Sequence, residues 1–341
     1  MNDVHDRASG SHAAASGADV LSDVLRSVRL TGSMLFLVDA TTPWLAWAPQ
    51  TEAFRRIVLP TSQHLFSYHI VTRGGCWAGL RDSPPEHFEE GDVLVVPHGD
   101  AYFLADPLEA EASYGPEEAV TFFRSMAAGE LPSVVTEGGG GAERTQFICG
   151  FLGCDLRPFN PVLAALPRMI HLRTAMSSSD RMRHLIEFAL CELRERSSGG
   201  QAVLLRLAEL MFIEVVRRHL ETMPVAQTGW LAGLNDPLVA RTLALLHGAP
   251  ARRWTLEALG AQAGASRSVL AERFAQFVGQ PPMQYLTQWR MQLATRMLLE
   301  PGAKVVAVAA AVGYESEAAF SRAFKKCAGV APAAWRRRTA A

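Results

Sequence analysis

No apolar run in this 341-residue sequence approaches the roughly 18 residues that a membrane-spanning helix needs. Met1 to Asp19 lacks a basic start followed by an apolar core, so the first 19 residues read as a disordered tail and not as a signal peptide. Cysteine is sparse and odd in number, at positions 76, 149, 154, 191 and 327, which excludes a dense disulfide framework and fits a reducing cytoplasm. Lysine occurs only at 304, 325 and 326; the other basic residues are arginine, a bias with little functional weight. These absences argue against a secreted or membrane protein. What remains, 49% hydrophobic and 20% charged, is a globular composition, and at about 100–200 residues per domain the length predicts two domains.

The net charge of −1 conceals a division. From Gly229 onward 14 lysines and arginines face 6 acidic residues, a surplus of 8, whereas the first 228 residues hold 19 basic and 28 acidic groups, a deficit of 9. A basic C-terminal third on an acidic body suggests a polyanion-binding module joined to something else.

Hydrophobic spacing divides the chain in the same place. Apolar residues at 20, 21, 24, 25 and 28 predict a helix. Short apolar runs between turn residues then predict strands at Met34–Val38, Phe54–Leu59, Leu65–Val71, Cys76–Leu80, Val93–Val96, Tyr102–Leu104 and Phe147–Leu152, together a small barrel or sandwich. Residues 126–145, with Gly138–Gly141 in a row, read as a loop. Helical stripes follow at 179–196 and 201–221, and the two helices should pack antiparallel. Thr222–Gly229 reads as a linker, and Asp236-Pro237 as a helix start with Asp as cap and Pro in the first turn.

An internal repeat decides the C-terminal third. LGAQAGASRSVLAERF (259–274) and AAAVGYESEAAFSRAF (309–324) align so that Ser266, Leu270 and Phe274 fall on Ser316, Phe320 and Phe324. Each copy has a short Ala-rich helix (Leu256–Ala263; Val305–Val312), a Gly suited to positive φ, a Ser N-cap, and apolar residues four apart that seat a second helix. That is the layout of a helix-turn-helix, whose second helix enters the DNA major groove. Between the copies, Met283, Leu286, Trp289, Leu293 and Met297 predict a helix of about 17 residues, roughly 25 Å long, able to hold two recognition helices on adjacent turns of one duplex.

The stretches WTLEALGAQAGASRSVLAERF (254–274), PPMQYLTQWRMQLATRML (281–298) and VAVAAAVGYESEAAFSRAFKKCAGVAPAAWRR (306–337) resemble the DNA-binding domain of the AraC/XylS family of transcription regulators. The resemblance implies a regulator, usually an activator, that binds double-stranded promoter DNA and works with RNA polymerase. Carried over by position, the first recognition helix presents Arg267, Ser268, Ala271 and Glu272, and the second Glu317, Ala318, Ser321 and Arg322. Arg322 is the leading candidate for reading a guanine, while Arg267, Arg273, Lys325 and Lys326 suit phosphate contacts. The alternative for each basic residue is a solvated surface charge.

FSYHIVTRGGCWAGL (66–80), FEEGDVLVVPHGDAYFL (88–104) and FICGFLGCDLRPFNPVLAALPRMI (147–170) resemble the cupin-type N-terminal domain of one branch of that family. Metal-binding cupins need several converging histidines and an acid. Here His69 has no paired His two residues away, and Tyr102 stands where metal cupins place a His, so neither a metal nor another cofactor is expected. A barrel mouth is nevertheless a natural small-molecule site, with His69, Trp77 and Tyr102 as candidate lining residues or, alternatively, ordinary core. Cys149 and Cys154 are candidates for a redox signal, with buried inert thiols as the default.

The sequence thus predicts an α+β chain. A cupin-like sensor domain spans 20–221 (barrel 20–165, helical dimerisation element 166–221), followed by a linker at 222–235 and an all-α domain at 236–338 with two helix-turn-helix motifs. The expected protein is a cytoplasmic homodimeric regulator, not an enzyme, under the control of a small-molecule or redox signal. The rivals are a metal-dependent cupin enzyme and an architectural DNA binder that senses nothing.

Overall fold

The computed structural model describes residues 19–27, 30–111, 115–132, 134–155, 159–174, 179–195, 197–224 and 227–339. The first 18 residues of the expected tail and residues 225–226 of the expected linker lie outside that range. The chain divides into two compact units. One spans residues 24–232, and the other takes in, among those described, residues 19–23 and 233–339.

Helix α1 (Val20–Ser27) leads into β1 (Leu30–Thr41) and β2 (Trp44–Ala48). Phe54–Leu59 does not form the expected strand: a 3-10 turn at Thr51–Ala53 and a short helix, α2 (Arg55–Val58), occupy it, with Phe54 and Val58 turned inward. A short apolar run fits either geometry, and its partners decide. The chain continues through β3 (His64–Arg73), β4 (Gly75–Leu80), β5 (Glu86–Glu89), β6 (Val93–Val96) and β7 (Tyr102–Asp106) to helix α3 (Pro116–Ala127). The interval expected to be a loop holds the end of α3 and a strand, β8 (Val134–Gly138), which pairs in parallel with β1 from Leu37↔Val134 to Thr41↔Gly138. Strand β9 (Arg144–Cys154), α4 (Pro161–Ala165) and β10 (Ile170–Leu172) complete the β region.

The strands form a six-stranded sheet, β10-β6-β3-β9-β1-β8, and a four-stranded sheet, β2-β7-β4-β5. Their inner faces share one apolar core, in which Val71, Leu94, Phe147 and Cys149 from the larger sheet meet Trp44, Ala78, Phe88 and Leu104 from the smaller. Helices α5 (Arg181–Glu195) and α6 (Gly200–Thr222) pack on each other, and α6 also packs against β1 and β10, with Phe212 4.9 Å from Phe66 between ring centroids. Arg218 of α6 ties the pair together through Asp180 before α5 and Glu214 one turn back.

Helix α7 (Trp230–Gly233) falls within the expected linker. The second unit then runs through α8 (Pro237–Gly248), α9 (Leu256–Ala263), α10 (Arg267–Val278), α11 (Pro282–Met297), α12 (Val305–Ala311), α13 (Glu317–Ala328) and α14 (Pro332–Thr339). Asp236 caps α8 as the sequence suggests, accepting from the amides of Leu238 and Val239. Helix α11 buries Tyr285, Leu286 and Trp289 beside α8 and α10, and Met291, Ala294 and the following Leu298 beside α12 and α13. One rod therefore carries residues of two small cores. No helix among the described residues is long and apolar enough to cross a membrane.

Candidate DNA interface and sensor cavity

The two helix-turn-helix copies have the same local construction. Ser266 caps α10 by accepting from the Val269 amide at 3.3 Å, and Ser316 caps α13 by accepting from the Ala319 amide at 3.4 Å. Gly264 and Gly313 have φ of +81° and +82°, values that a side chain would strain. Leu270 and Phe274 in α10, and Phe320 and Phe324 in α13, are buried and seat each second helix.

What faces outward differs from the sequence expectation in detail. Arg267, Ser268, Glu272 and Arg273 are exposed, as are Glu317, Ala318, Arg322, Lys325 and Lys326, but Ala271 and Ser321 are half-buried. Val269, absent from the expected face, is 53% exposed. It lies one residue before the buried Leu270, a position that sequence spacing alone leaves undecided.

Charge pairing separates the copies. Arg267 sits 3.2 Å from Glu257 of α9. Arg273 is strapped to Asp236 at 2.9 Å through both Nε and Nη2, and its guanidinium lies 4.8 Å from the centre of the Phe277 ring. Asp236 thus serves twice: Oδ1 caps α8 and Oδ2 holds Arg273. Among the described residues, Arg322, Lys325 and Lys326 form no ion pair, so the exposed cations of α13 are available where those of α10 are engaged.

Arg290 of α11 is a structural residue that the sequence reading missed. Its Nε donates to the Pro250 carbonyl at 2.7 Å and its Nη2 to the Arg252 carbonyl at 2.8 Å, while its guanidinium lies 5.9 Å from the centre of the Tyr314 ring. The linking helix therefore clamps the loop before α9 against the turn before α13. A second buried polar group, His247 of α8, stacks on Trp289 at 4.1 Å and pairs through Nε2 with the Tyr285 hydroxyl at 2.8 Å. Burial pushes the His247 pKa down, opposed in part by the Asp23 carboxylate 3.5 Å from Nδ1.

In the β unit a cavity of about 600 Å³, part of it open to solvent, lies against β1, β2, β7, β9 and α3. Its walls are mainly aromatic, including Trp44, Trp47, Phe122, Phe123 and Phe147. Of the residues proposed for a pocket, His69 and Tyr102 both line it and lie together: His69 Nε2 is 2.5 Å from the Tyr102 hydroxyl, and Nδ1 is 3.0 Å from Cys149 Sγ. Burial drives the His69 pKa down to about 3, so the ring is neutral. Trp77 does not join them. Its neighbours Cys76 and Ala78 face the core, and strand alternation turns Trp77 to the opposite side, against His87 at 5.1 Å.

A cupin metal does not fit this donor set. Both ring nitrogens of His69 are hydrogen-bonded, and no group of three or more His, Cys, Asp or Glu able to hold an ion occurs among the described residues. Cys149 and Cys154 both lie buried in β9; burial raises both thiols, Cys154 to about 12, which suppresses the nucleophilic thiolate. Glu137 of β8 also lines the cavity, and it escapes the sequence reading because its glycine-rich segment has the composition of a loop.

The cupin family matches residues 19–221, and a helix-turn-helix domain family matches residues 259–338. A protein of Streptomyces antibioticus, described as an AraC-like transcription regulator, is 36% identical over 288 residues, 83% of this chain and 90% of its own. A protein of Streptomyces lividans with the same description is 38% identical over 303 residues, 82% and 95% of the two chains. The HTH-type transcriptional regulator AlkR of Acinetobacter baylyi is 28% identical over 310 residues, 90% and 95%.

Proposed function

The chain belongs to the AraC-like transcription regulators, and from that premise we propose that it binds promoter DNA through α10 and α13 and answers to a small molecule held in the cavity of its β unit. The observation that carries the DNA side is the repeated unit: two helices of equal construction, each seated by buried apolar residues and each presenting a polar outer face. On α13, Arg322 reads a base and Lys325 and Lys326 hold phosphates; on α10, Ser268, Glu272 and Val269 face the groove. Half-buried Ala271 and Ser321 contribute through their close approach, and Glu317 and Ala318 meet the groove at the start of α13.

The cavity, with His69 and Tyr102 on its wall, favours a ligand over thiol chemistry as the signal, because burial disfavours the thiolates of Cys149 and Cys154. No catalytic step is assigned. Phe188 of α5 and Leu210 of α6, 53% and 50% exposed, support a homodimer formed through these helices. Ligand binding shifts the relative reach of the paired DNA units, and activation proceeds through RNA polymerase at the bound promoter.

Sequencing genomic fragments retained by the protein, followed by footprinting, tests this reading. The expected result is a shared sequence whose protected region spans two successive major-groove faces per chain. Uniform retention of all fragments, with no footprint, would refute it.

A further inference from the structure

Among the described residues, the cavity wall has one charged side chain: Glu137 extends from β8, the edge strand of the larger sheet, and none of the described lysines or arginines lines the space. The other polar groups on the wall carry no charge: His69, neutral, binds the Tyr102 hydroxyl through one nitrogen and the Cys149 thiol through the other, and the Trp44 indole N–H is buried without a hydrogen-bond partner among the described residues. The Glu137 carboxylate forms no ion pair or side-chain hydrogen bond among the described residues. It is half-buried, and burial alone raises its pKa, the direction expected of a carboxylate that has lost water without gaining a cation. The rings of Trp44, Trp47, Phe122 and Phe147 line the same space.

An acid without a protein counter-ion, set in an aromatic enclosure, selects among ligands by charge. An anion would be repelled by Glu137 and find no basic partner. A neutral apolar molecule would leave the carboxylate desolvated and unpaired. A cation would pair with it and gain from the aromatic rings.

We propose that the cavity takes an amphipathic amine, an aromatic or hydrocarbon body bearing one protonated nitrogen, with the ammonium paired to Glu137 and the body against the tryptophan and phenylalanine wall. This rests on the reading of the cavity as the effector site and names the chemistry of its occupant. The indoles of Trp44 and Trp47 make occupancy visible by fluorescence.

Three probes of equal body and different head test it: 4-phenylbutylamine, 4-phenylbutan-1-ol and 4-phenylbutanoate, titrated into the full chain at pH 7.5 by calorimetry and tryptophan fluorescence. The amine should bind about tenfold or more tighter than the alcohol, as a charged hydrogen bond in a partly desolvated site implies, with the butanoate weakest. Glu137→Gln should erase the amine's advantage and leave the alcohol's affinity within about twofold, which also reports that the variant is folded. An alcohol as tight as the amine, or a butanoate tighter than either, overturns the amine assignment while keeping the cavity as a ligand site. Binding of none of the three overturns the cavity reading itself. The ranking on the unmodified chain decides the matter even if the variant fails to fold.

Discussion

The first and second helix-turn-helix units share their caps, their left-handed glycines and their buried anchors, yet they manage charge in opposite ways. Arg267 and Arg273 around α10 are paired with Glu257 and Asp236, whereas Arg322, Lys325 and Lys326 on α13 have no acidic partner among the described residues. An ion pair with phosphate gains less when a protein carboxylate must first be displaced. On the proposed reading, the first unit would contribute shape and base contacts with little net attraction, and the second would add backbone anchoring through Lys325 and Lys326 to the base contact of Arg322. The surplus of 8 positive charges in the C-terminal third is thus unevenly usable.

The largest expected effect comes from disarming the second unit. Arg322→Ala should cost about 1–3 kcal/mol on the specific site and relax one base preference. Lys325→Ala with Lys326→Ala should flatten the slope of log K against log salt by about 0.9 for each phosphate that is no longer neutralised. Arg267→Ala should change that slope far less. Equal slopes for the two sets, measured by fluorescence anisotropy across a salt series, would break the distinction.

A smaller effect should follow from releasing a cation in the first unit. Asp236→Asn keeps a capping oxygen for α8 but removes the partner of Arg273. The salt slope should steepen by up to about 0.9 if the freed guanidinium reaches phosphate. An unchanged slope would place Arg273 out of reach and leave it a purely structural strap.

The smallest effect concerns stability. The first unit buries His247, whose pKa burial lowers below the ordinary 6.5 against the opposing pull of Asp23; the core of the second, built on Phe320 and Phe324, buries no histidine. The unfolded chain takes up a proton near pH 6.5 more readily than folded His247 does, so this contribution to stability is present above that pH and is lost as pH falls below it. Hydrogen exchange between pH 7.5 and 5.5, corrected for intrinsic rates, should show α8 and α10 losing more protection than α13. Parallel losses would assign the effect elsewhere.

Local signals make the DNA-binding unit legible in the sequence. Ser266 and Ser316, Gly264 and Gly313, and apolar residues four apart each report on their own few neighbours, and each takes the role that its type and spacing imply. Features with distant partners are not legible. Strand β8 exists because it pairs with β1, about a hundred residues away in the chain, and it brings Glu137 with it. Trp77 falls on the opposite face from the one expected because strand parity depends on register. The Arg273–Asp236 strap spans 37 residues, and no spacing rule connects its ends.

Tethered cleavage tests most directly whether both helices of one chain enter the duplex. With Cys191 and Cys327 replaced by Ser, an iron chelate is attached to Ser268→Cys in one variant and to Ala318→Cys in another, and both are bound to the same footprinted site. Two helices of one chain in adjacent major-groove faces should give cuts centred about 10 base pairs apart, one helical turn. Cuts from only one of the two positions, or cuts separated by about half a turn, would contradict that arrangement.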